Sequence, residues 1–145
     1  MNIYFACSIT GGREFERVYQ DLMAALLSDG HQIPTAHLAD SNVLAMESVI
    51  APREVYDRDV TWIQSADALI AEVSAPSHGV GFEIGFALQA EKPVLCLYQA
   101  GRKVSKMITG NPNPKLSIKE YKDSEEAVLF AREFILKLHS GSEVL

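Results

Sequence analysis

Residues 68–98 read ALIAEVSAPSHGVGFEIGFALQAEKPVLCLY. Two strongly apolar runs, Ala68 to Val73, interrupted only by Glu72, and Val94 to Tyr98, flank a stretch that opens on the turn-rich SAPSHGVG and continues as a helix from about Val80 to Glu91. Runs of five or six apolar residues suit strands covered on both faces, and a strand, a helix and a second such strand join as a parallel pair through a crossover.

Outward from this unit the alternation continues. NIYFAC (residues 2 to 7) reads as a short buried strand ending at Ser8 and the pair Gly11-Gly12. In EFERVYQDLMAALLSDG, Phe15, Val18, Leu22, Ala25 and Leu26 fall three and four apart, one face of a helix that Gly30 can close. A weak strand is expected around Gln32 to Ala36, then a loop over 38 to 52 with one short helical turn, then a helix from about Arg53 to Ser65 following Pro52. After an irregular stretch over 99 to 114, Leu116 to Tyr121 offers a last strand. Asp123 and Glu126 then form a capping pattern before a helix with Ala127, Ala131, Phe134 and Leu138 on one face. The tail from Ser140 is expected to fray. The expected architecture is α/β: a five-stranded parallel sheet, doubly wound in the flavodoxin-like manner as a three-layer sandwich, with residues 1–145 forming one domain.

Composition excludes several functions. The chain has 145 residues, 48% apolar and 22% charged, and a mean hydropathy of +0.03, outside the range of disordered chains. No apolar run approaches the length of a membrane span. A net charge of −6 argues against nucleic-acid polymers and anionic membranes, so any anionic ligand must be caught locally. The start MNIYFAC lacks the charged leader and long apolar region of a signal peptide, which gives an expected cytoplasmic location with an intact N-terminus. Cys7 and Cys96 lie inside apolar runs and read as small core residues; His31, His37, His78 and His139 show no metal-ligand spacing, so neither metal nor organic cofactor is expected.

In doubly wound sheets ligands bind beyond the carboxyl ends of the strands, which singles out three segments. Ser8-Ile9-Thr10-Gly11-Gly12-Arg13 places glycines, hydroxyls and an arginine where a strand turns into a helix. It suits a phosphate held by free N–H groups, or simply a tight turn with positive φ, and it is not the dinucleotide fingerprint. In Ser77-His78-Gly79-Val80-Gly81-Phe82-Glu83-Ile84-Gly85, Glu83 is expected in the first helical turn, facing the sheet mouth. Gly81 and Gly85, one turn apart, suggest a close approach by a neighbour. Asp59 shares a stripe with Val55, Trp62 and Ala66; a carboxylate there needs a partner or a task, with Arg58 or solvent at the edge of the buried face as the plainer reading. Tyr4 is either a core aromatic or a hydroxyl directed at an acidic group in the mouth.

Taken with Asp59-x-x-Trp62, Ala71-Glu72-Val73 and Val104-Ser105-x-Met107-Ile108-x-Gly110, these segments resemble the 2'-deoxynucleoside 5'-phosphate N-hydrolases of the nucleoside 2-deoxyribosyltransferase superfamily, over about residues 3 to 138. The resemblance implies cleavage of the N-glycosidic bond of a nucleoside monophosphate to free base and sugar 5-phosphate. Glu83 would be the nucleophile forming a glycosyl-enzyme, Tyr4 its orienting partner, and Asp59, its carboxyl kept protonated at a half-buried site, the acid that protonates the departing base. Phosphate and substrate contacts would fall to Cys7, Ser8, Ile9, Thr10, Gly11, Gly12, Arg13, Ser77, Gly79, Ser105 and Met107, with Tyr19 and His37 around the sugar and base. Ser105 would come from the neighbouring subunit of a homodimer.

Thr10 stands where many of these hydrolases have arginine, so backbone and hydroxyls would grip the phosphate more than charge does. Ser77 separates the chain from transferases acting on unphosphorylated nucleosides, which resemble it around Glu83 but usually carry an acidic residue at this place and a polar C-terminal tail. An acidic group would repel a phosphate dianion, and six of the thirteen Lys and Arg lie between Arg102 and Lys122. A base-exchanging deoxyribosyltransferase and a nucleotide-binding module without turnover are the alternatives.

Overall fold

The computed structural model describes residues 1–141; the expectations for the closing Ser-Glu-Val-Leu, residues 142–145, lie outside them. Four strands, β1 (Ile3–Ala6), β2 (Ala68–Glu72), β3 (Val94–Gln99) and β4 (Leu116–Tyr121), form a parallel sheet in the order β1-β2-β3-β4. The register sets Tyr4 beside Leu69, Ala71 beside Cys96 and Glu72 beside Leu97.

The fifth strand expected at Gln32 to Ala36 is reduced to a single bridge between Asn2 and Gln32. Ile3 N donates to Gln32 O at 2.8 Å, but Pro34 has no N–H to continue a ladder. The buried hydroxyl of Thr35 accepts from Phe5 N at 2.9 Å instead, so a side chain satisfies the edge of β1 that another strand would have covered.

Among the described residues six α-helices accompany the sheet: α1 (Glu16–Ser28), α2 (Val43–Ser48), α3 (Pro52–Ser65), α4 (His78–Gln89), α5 (Lys106–Thr109) and α6 (Ser124–His139). On one face Phe5, Ile70 and Leu95 pack with Leu22 of α1 and Phe134 of α6; on the other Tyr4, Ala71 and Cys96 pack with Ile63 of α3 and Val80 and Ile84 of α4. Side chains alternate along each strand, so consecutive residues serve opposite cores, each fully buried Leu contributing roughly 1.5–3 kcal/mol. Among the described residues no helix is long and apolar enough to cross a membrane.

Three local expectations are corrected. The segment 38 to 52 holds more order than one turn, with a 3-10 turn at Ala36–Ala39 followed by α2. The irregular 99 to 114 stretch contains α5, which Ser105 caps by accepting from Met107 N at 3.2 Å. The central helix starts at His78 rather than near Val80, because Ser77 Oγ accepts from Val80 N at 3.3 Å and caps it. Glu83 therefore lies in the second turn of α4, where complementing the helix dipole no longer explains a glutamate.

Candidate active site

A cleft of about 420 Å³ opens beyond the carboxyl ends of β1 and β2. The β1–α1 loop contributes Cys7, Ile9 and Thr10, α3 contributes Asp59, and the start of α4 contributes Ser77, Gly79 and Glu83. Asp59 and Glu83, distant in sequence and on different helices, thus share one cavity. Gly79 sits against the nucleophile candidate: a Cβ there would lie 3.6 Å from Glu83 Oε1, so the glycine leaves the carboxylate open.

Tyr4 enters from the floor. It is almost fully buried, and its hydroxyl and Glu83 Oε2 are both enclosed without a closed hydrogen bond to any described residue. Burial pushes Glu83 up to about 7; the Tyr4 hydroxyl opposes this as the largest influence favouring the charged carboxylate, Asp59 raises it further by like-charge repulsion, and Arg58 lowers it. Burial, reinforced by the charges of Glu83 and Asp59, holds the Tyr4 phenol far above its ordinary range, so it remains a donor near neutral pH. A carboxyl poised near neutrality beside a fixed donor is suited to nucleophilic or proton-transfer chemistry.

The β1–α1 loop is built tightly. Ser8, fully buried, accepts from Gly11 N at 3.1 Å, and a Cβ on Gly11 would collide with Ser8 Oγ and the carbonyl of Pro76, so this glycine lets two loops touch. Gly12 has φ +116°, the turn geometry that only glycine adopts freely. Arg13 does not line the cleft. Its guanidinium donates to Ser8 O at 3.3 Å, Leu38 O at 2.9 Å and Asp40 O at 3.1 Å, and pairs with Glu16, which ties this loop to the following turn. Tyr19 is likewise in the core, edge-on to Phe5 with Arg13 over its ring. Burial also pushes the Cys7 thiol up to about 12, keeping it neutral.

The loop after β2 is anchored by Glu72, a fully buried residue that accepts from Ser74 N at 3.1 Å, from Tyr121 Oη at 3.1 Å and from the Ser74 hydroxyl; that hydroxyl also accepts from Gln99 N at 2.8 Å. Burial holds the Glu72 carboxyl above its usual range. This side chain binds β2, β3 and β4 together at the mouth and fixes the segment that leads to Ser77.

Ser105 and Met107 do not reach Glu83. They line a second, larger cleft of about 600 Å³ on the other side of Ser77, with Gly81 and Gly85. Within this chain nothing approaches a Cβ at either glycine, so the close neighbour they suggest is not supplied by the chain's own described residues. Of the basic cluster, Arg102 pairs with Glu14 and lies over Phe15, and Lys115 pairs with Glu91; Lys103 lines this second cleft.

His37 also stays outside the first cleft. It contacts Glu47 Oε1 at 2.7 Å and stands edge-on to Trp62. The sequence reading missed Glu47 as a site residue and treated Arg58 only as a bland partner of Asp59; both line the cleft. Arg58 Nε donates to Asp59 Oδ1 at 2.8 Å, while Nη1 and Nη2 donate to the two Glu47 oxygens at 3.3 and 2.9 Å. Adjacency to Asp59 could have flagged Arg58. Nothing in the aperiodic 38 to 52 segment could have flagged Glu47.

The family profile described as nucleoside 2-deoxyribosyltransferase matches residues 3–128. The chain is 38% identical over 137 residues to a Methanosarcina mazei protein provisionally named 2'-deoxynucleoside 5'-phosphate N-hydrolase 1, covering 94% of this chain and 85% of that one. It is 36% identical over 138 residues to the Rattus norvegicus 5-hydroxymethyl-dUMP N-hydrolase, covering 92% and 84%. A solved structure of a Clostridium botulinum CMP N-glycosidase shares the fold at a TM-score of 0.67, with 19% identity over 90% of this chain and 97% of that chain.

Proposed function

The chain belongs to the nucleoside 2-deoxyribosyltransferase family, and from that membership and the Glu83 cleft we propose that it hydrolyses the N-glycosidic bond of (deoxy)nucleoside 5'-monophosphates. The observation that carries this reading is the enclosed Glu83 carboxyl, poised near neutrality between the Tyr4 hydroxyl and Asp59.

Glu83, ionised, attacks C1' of the sugar as the C1'–N bond breaks, and Asp59 passes the one proton that the two neighbouring carboxyls share to the departing base nitrogen. Water then attacks C1' of the glycosyl ester and gives a proton to the Asp59 carboxylate, releasing Glu83 and sugar 5-phosphate. Tyr4 directs its O–H at Glu83 and orients the attacking oxygen. Splitting one displacement into two, each through an oxocarbenium-like state beside a carboxylate, is the source of the acceleration.

The phosphate sits at the end of the cleft formed by Thr10, Ser77 and the first turn of α4, whose leading N–H groups have no partner within the helix. Arg13 acts by bracing the loop. The neutral Ser77 favours a phosphorylated substrate over a free nucleoside.

The reading includes a homodimer. Gly81, Gly85 and Met107, which is 84% exposed, line an apolar cleft, and Phe82 lies exposed between Tyr56 and Phe86. A second copy packed there would cover these residues and carry its Ser105 toward the phosphate end, which this chain's own Ser105 does not reach. One domain, free cysteines and a cytoplasmic setting complete the picture.

Chromatography of reactions with the full set of NMPs and dNMPs tests it. Free base and sugar phosphate are expected with wild type, and Asp59→Asn and Glu83→Ala should slow release by a hundredfold or more (about 10²–10⁴ for a lost acid). An added second base yielding a new nucleoside would instead indicate a transferase, and intact nucleotide after long incubation a binding module.

A further inference from the structure

The cleft holds two charged groups that the proposed chemistry does not use, Arg58 and Glu47. Arg58 lies beside Asp59, and its guanidinium is divided between two carboxylates on two different helices. The Nε edge donates to Asp59 Oδ1 at 2.8 Å, and the two terminal nitrogens take both oxygens of Glu47 at 3.3 and 2.9 Å. The guanidinium carbon stands 4.8 Å from the centre of the Trp62 ring, one helical turn along α3. Glu47 is also held by His37, whose Nε2 lies 2.7 Å from Oε1, the oxygen that Arg58 Nη2 takes. All four side chains of the ionic chain are half-buried, which limits competition by water.

This geometry constrains an aspartate that would otherwise be free to turn. Asp59 sits on a helix with two torsions of its own, and in a cleft mouth it could rotate toward solvent. Arg58 holds one oxygen and leaves Oδ2 with no hydrogen bond among the described residues. We propose that Glu47 and Arg58 form a clamp that positions Asp59 for proton delivery to the departing base, so that Oδ1 is the anchored end and Oδ2 the working end. The inference rests on the proposed hydrolase reading.

Arginine suits the task where lysine does not. A planar fork can satisfy Glu47 with one edge and Asp59 with another while standing over the Trp62 ring, whereas an ammonium is a point charge with no fixed plane. Glu47 orients the fork, and without it the guanidinium could swing toward Asp59 or the substrate phosphate. The clamp acts on the orientation of an acid, so its effect should appear in the bond-breaking step and depend on whether the leaving group needs a proton. Misplacing a catalytic group by about an ångström costs on the order of a hundredfold in rate.

The test compares two substrates in the full-length protein: a natural dNMP, and 4-nitrophenyl 2-deoxyribofuranoside 5-phosphate, whose leaving group departs as a stable anion without protonation. Arg58→Gln should lower kcat on the dNMP by about tenfold to a hundredfold with KM nearly constant, and lower kcat on the nitrophenyl substrate by less than about threefold. Arg58→Lys should recover little, and Glu47→Gln should reproduce the pattern. The double variant Glu47→Gln with Arg58→Gln, which removes both halves of the Glu47–Arg58 pair, should be no slower than either single variant, because the two residues act as one unit. Equal slowing of both substrates, a loss confined to KM, or unchanged dNMP turnover overturns the clamp. No turnover of any nucleotide by wild type overturns the hydrolase reading itself, and the clamp with it.

Discussion

Tyr4→Phe removes one oxygen from the floor of the cleft and should move the pH dependence of catalysis rather than the fold. The hydroxyl closes no hydrogen bond with a described residue, so Phe leaves the core on that face of the sheet filled and stability should change by less than about 1.5 kcal/mol. Its effect on Glu83 is larger. The Tyr4 hydroxyl is the main influence favouring the ionised Glu83 carboxylate, against the burial that places it near 7. Once that hydroxyl closes on the ionised carboxylate, a hydrogen bond to a charged group contributes roughly 1.5–3 kcal/mol, and each pKa unit corresponds to about 1.4 kcal/mol. The rising limb of kcat/KM, which reports the free enzyme, should therefore move up by about one to two units. At pH 7 the ionised fraction of Glu83 would fall from about one half to between roughly one tenth and one hundredth, a loss of about 5- to 50-fold. Asp59→Asn carries the opposite sign, because the Asp59 charge raises Glu83, and its residual activity should show a limb at lower pH. A Tyr4→Phe limb at the wild-type pH or below it, or an activity equally low at every pH, would refute the reasoning.

Glu83→Gln should abolish turnover yet stabilise the protein at alkaline pH. With a folded pKa raised from 4.5 to about 7, the wild-type carboxyl costs nothing below 4.5 and loses stability as pH climbs through this window, reaching roughly 3 kcal/mol above 7. Thermal melts at pH 4 and 8 check this, the Gln variant gaining at pH 8 only. Gly11→Ala should drive its methyl into the Pro76 carbonyl and spread the two loops, weakening nucleotide binding in calorimetry and lowering Tm; unchanged affinity would show that the loop contact does not shape the site. Thr35→Val leaves Phe5 N without its acceptor at the edge of β1 and should cost about 1–3 kcal/mol in urea unfolding, with catalysis intact in the folded fraction.

Local chemistry made much of this molecule legible. The runs at Ile3, Ala68 and Val94 could only be buried strands, and the amphipathic stripes between them could only be covering helices, so a parallel α/β sheet followed from patterning. Glu83 and Asp59 stood out only when read together with the family resemblance, because each alone has a plainer explanation: dipole complementation for Glu83, and Arg58 or solvent for Asp59. Gln32 to Ala36 failed as a strand because strand formation there depends on a ladder donor that Pro34 lacks and on a hydroxyl, Thr35, that replaces it from the side. Arg13 looked like a phosphate ligand, since sequence shows a charge beside glycines but not the three carbonyls that already occupy it.

The sequence by itself determined the sheet, its carboxyl-end loops and the two carboxylates, because these depend on periodicities and costs that act within a few residues. The tertiary structure decided which charges meet. Glu47 and Arg58 are eleven positions apart, with no shared periodicity, and they join only because the turn between α2 and α3 brings the two side chains together beside the cleft. The elevated Glu83 arises the same way: burial by distant strands and repulsion from another helix are long-range quantities, and they exist only once the chain has closed around that carboxyl.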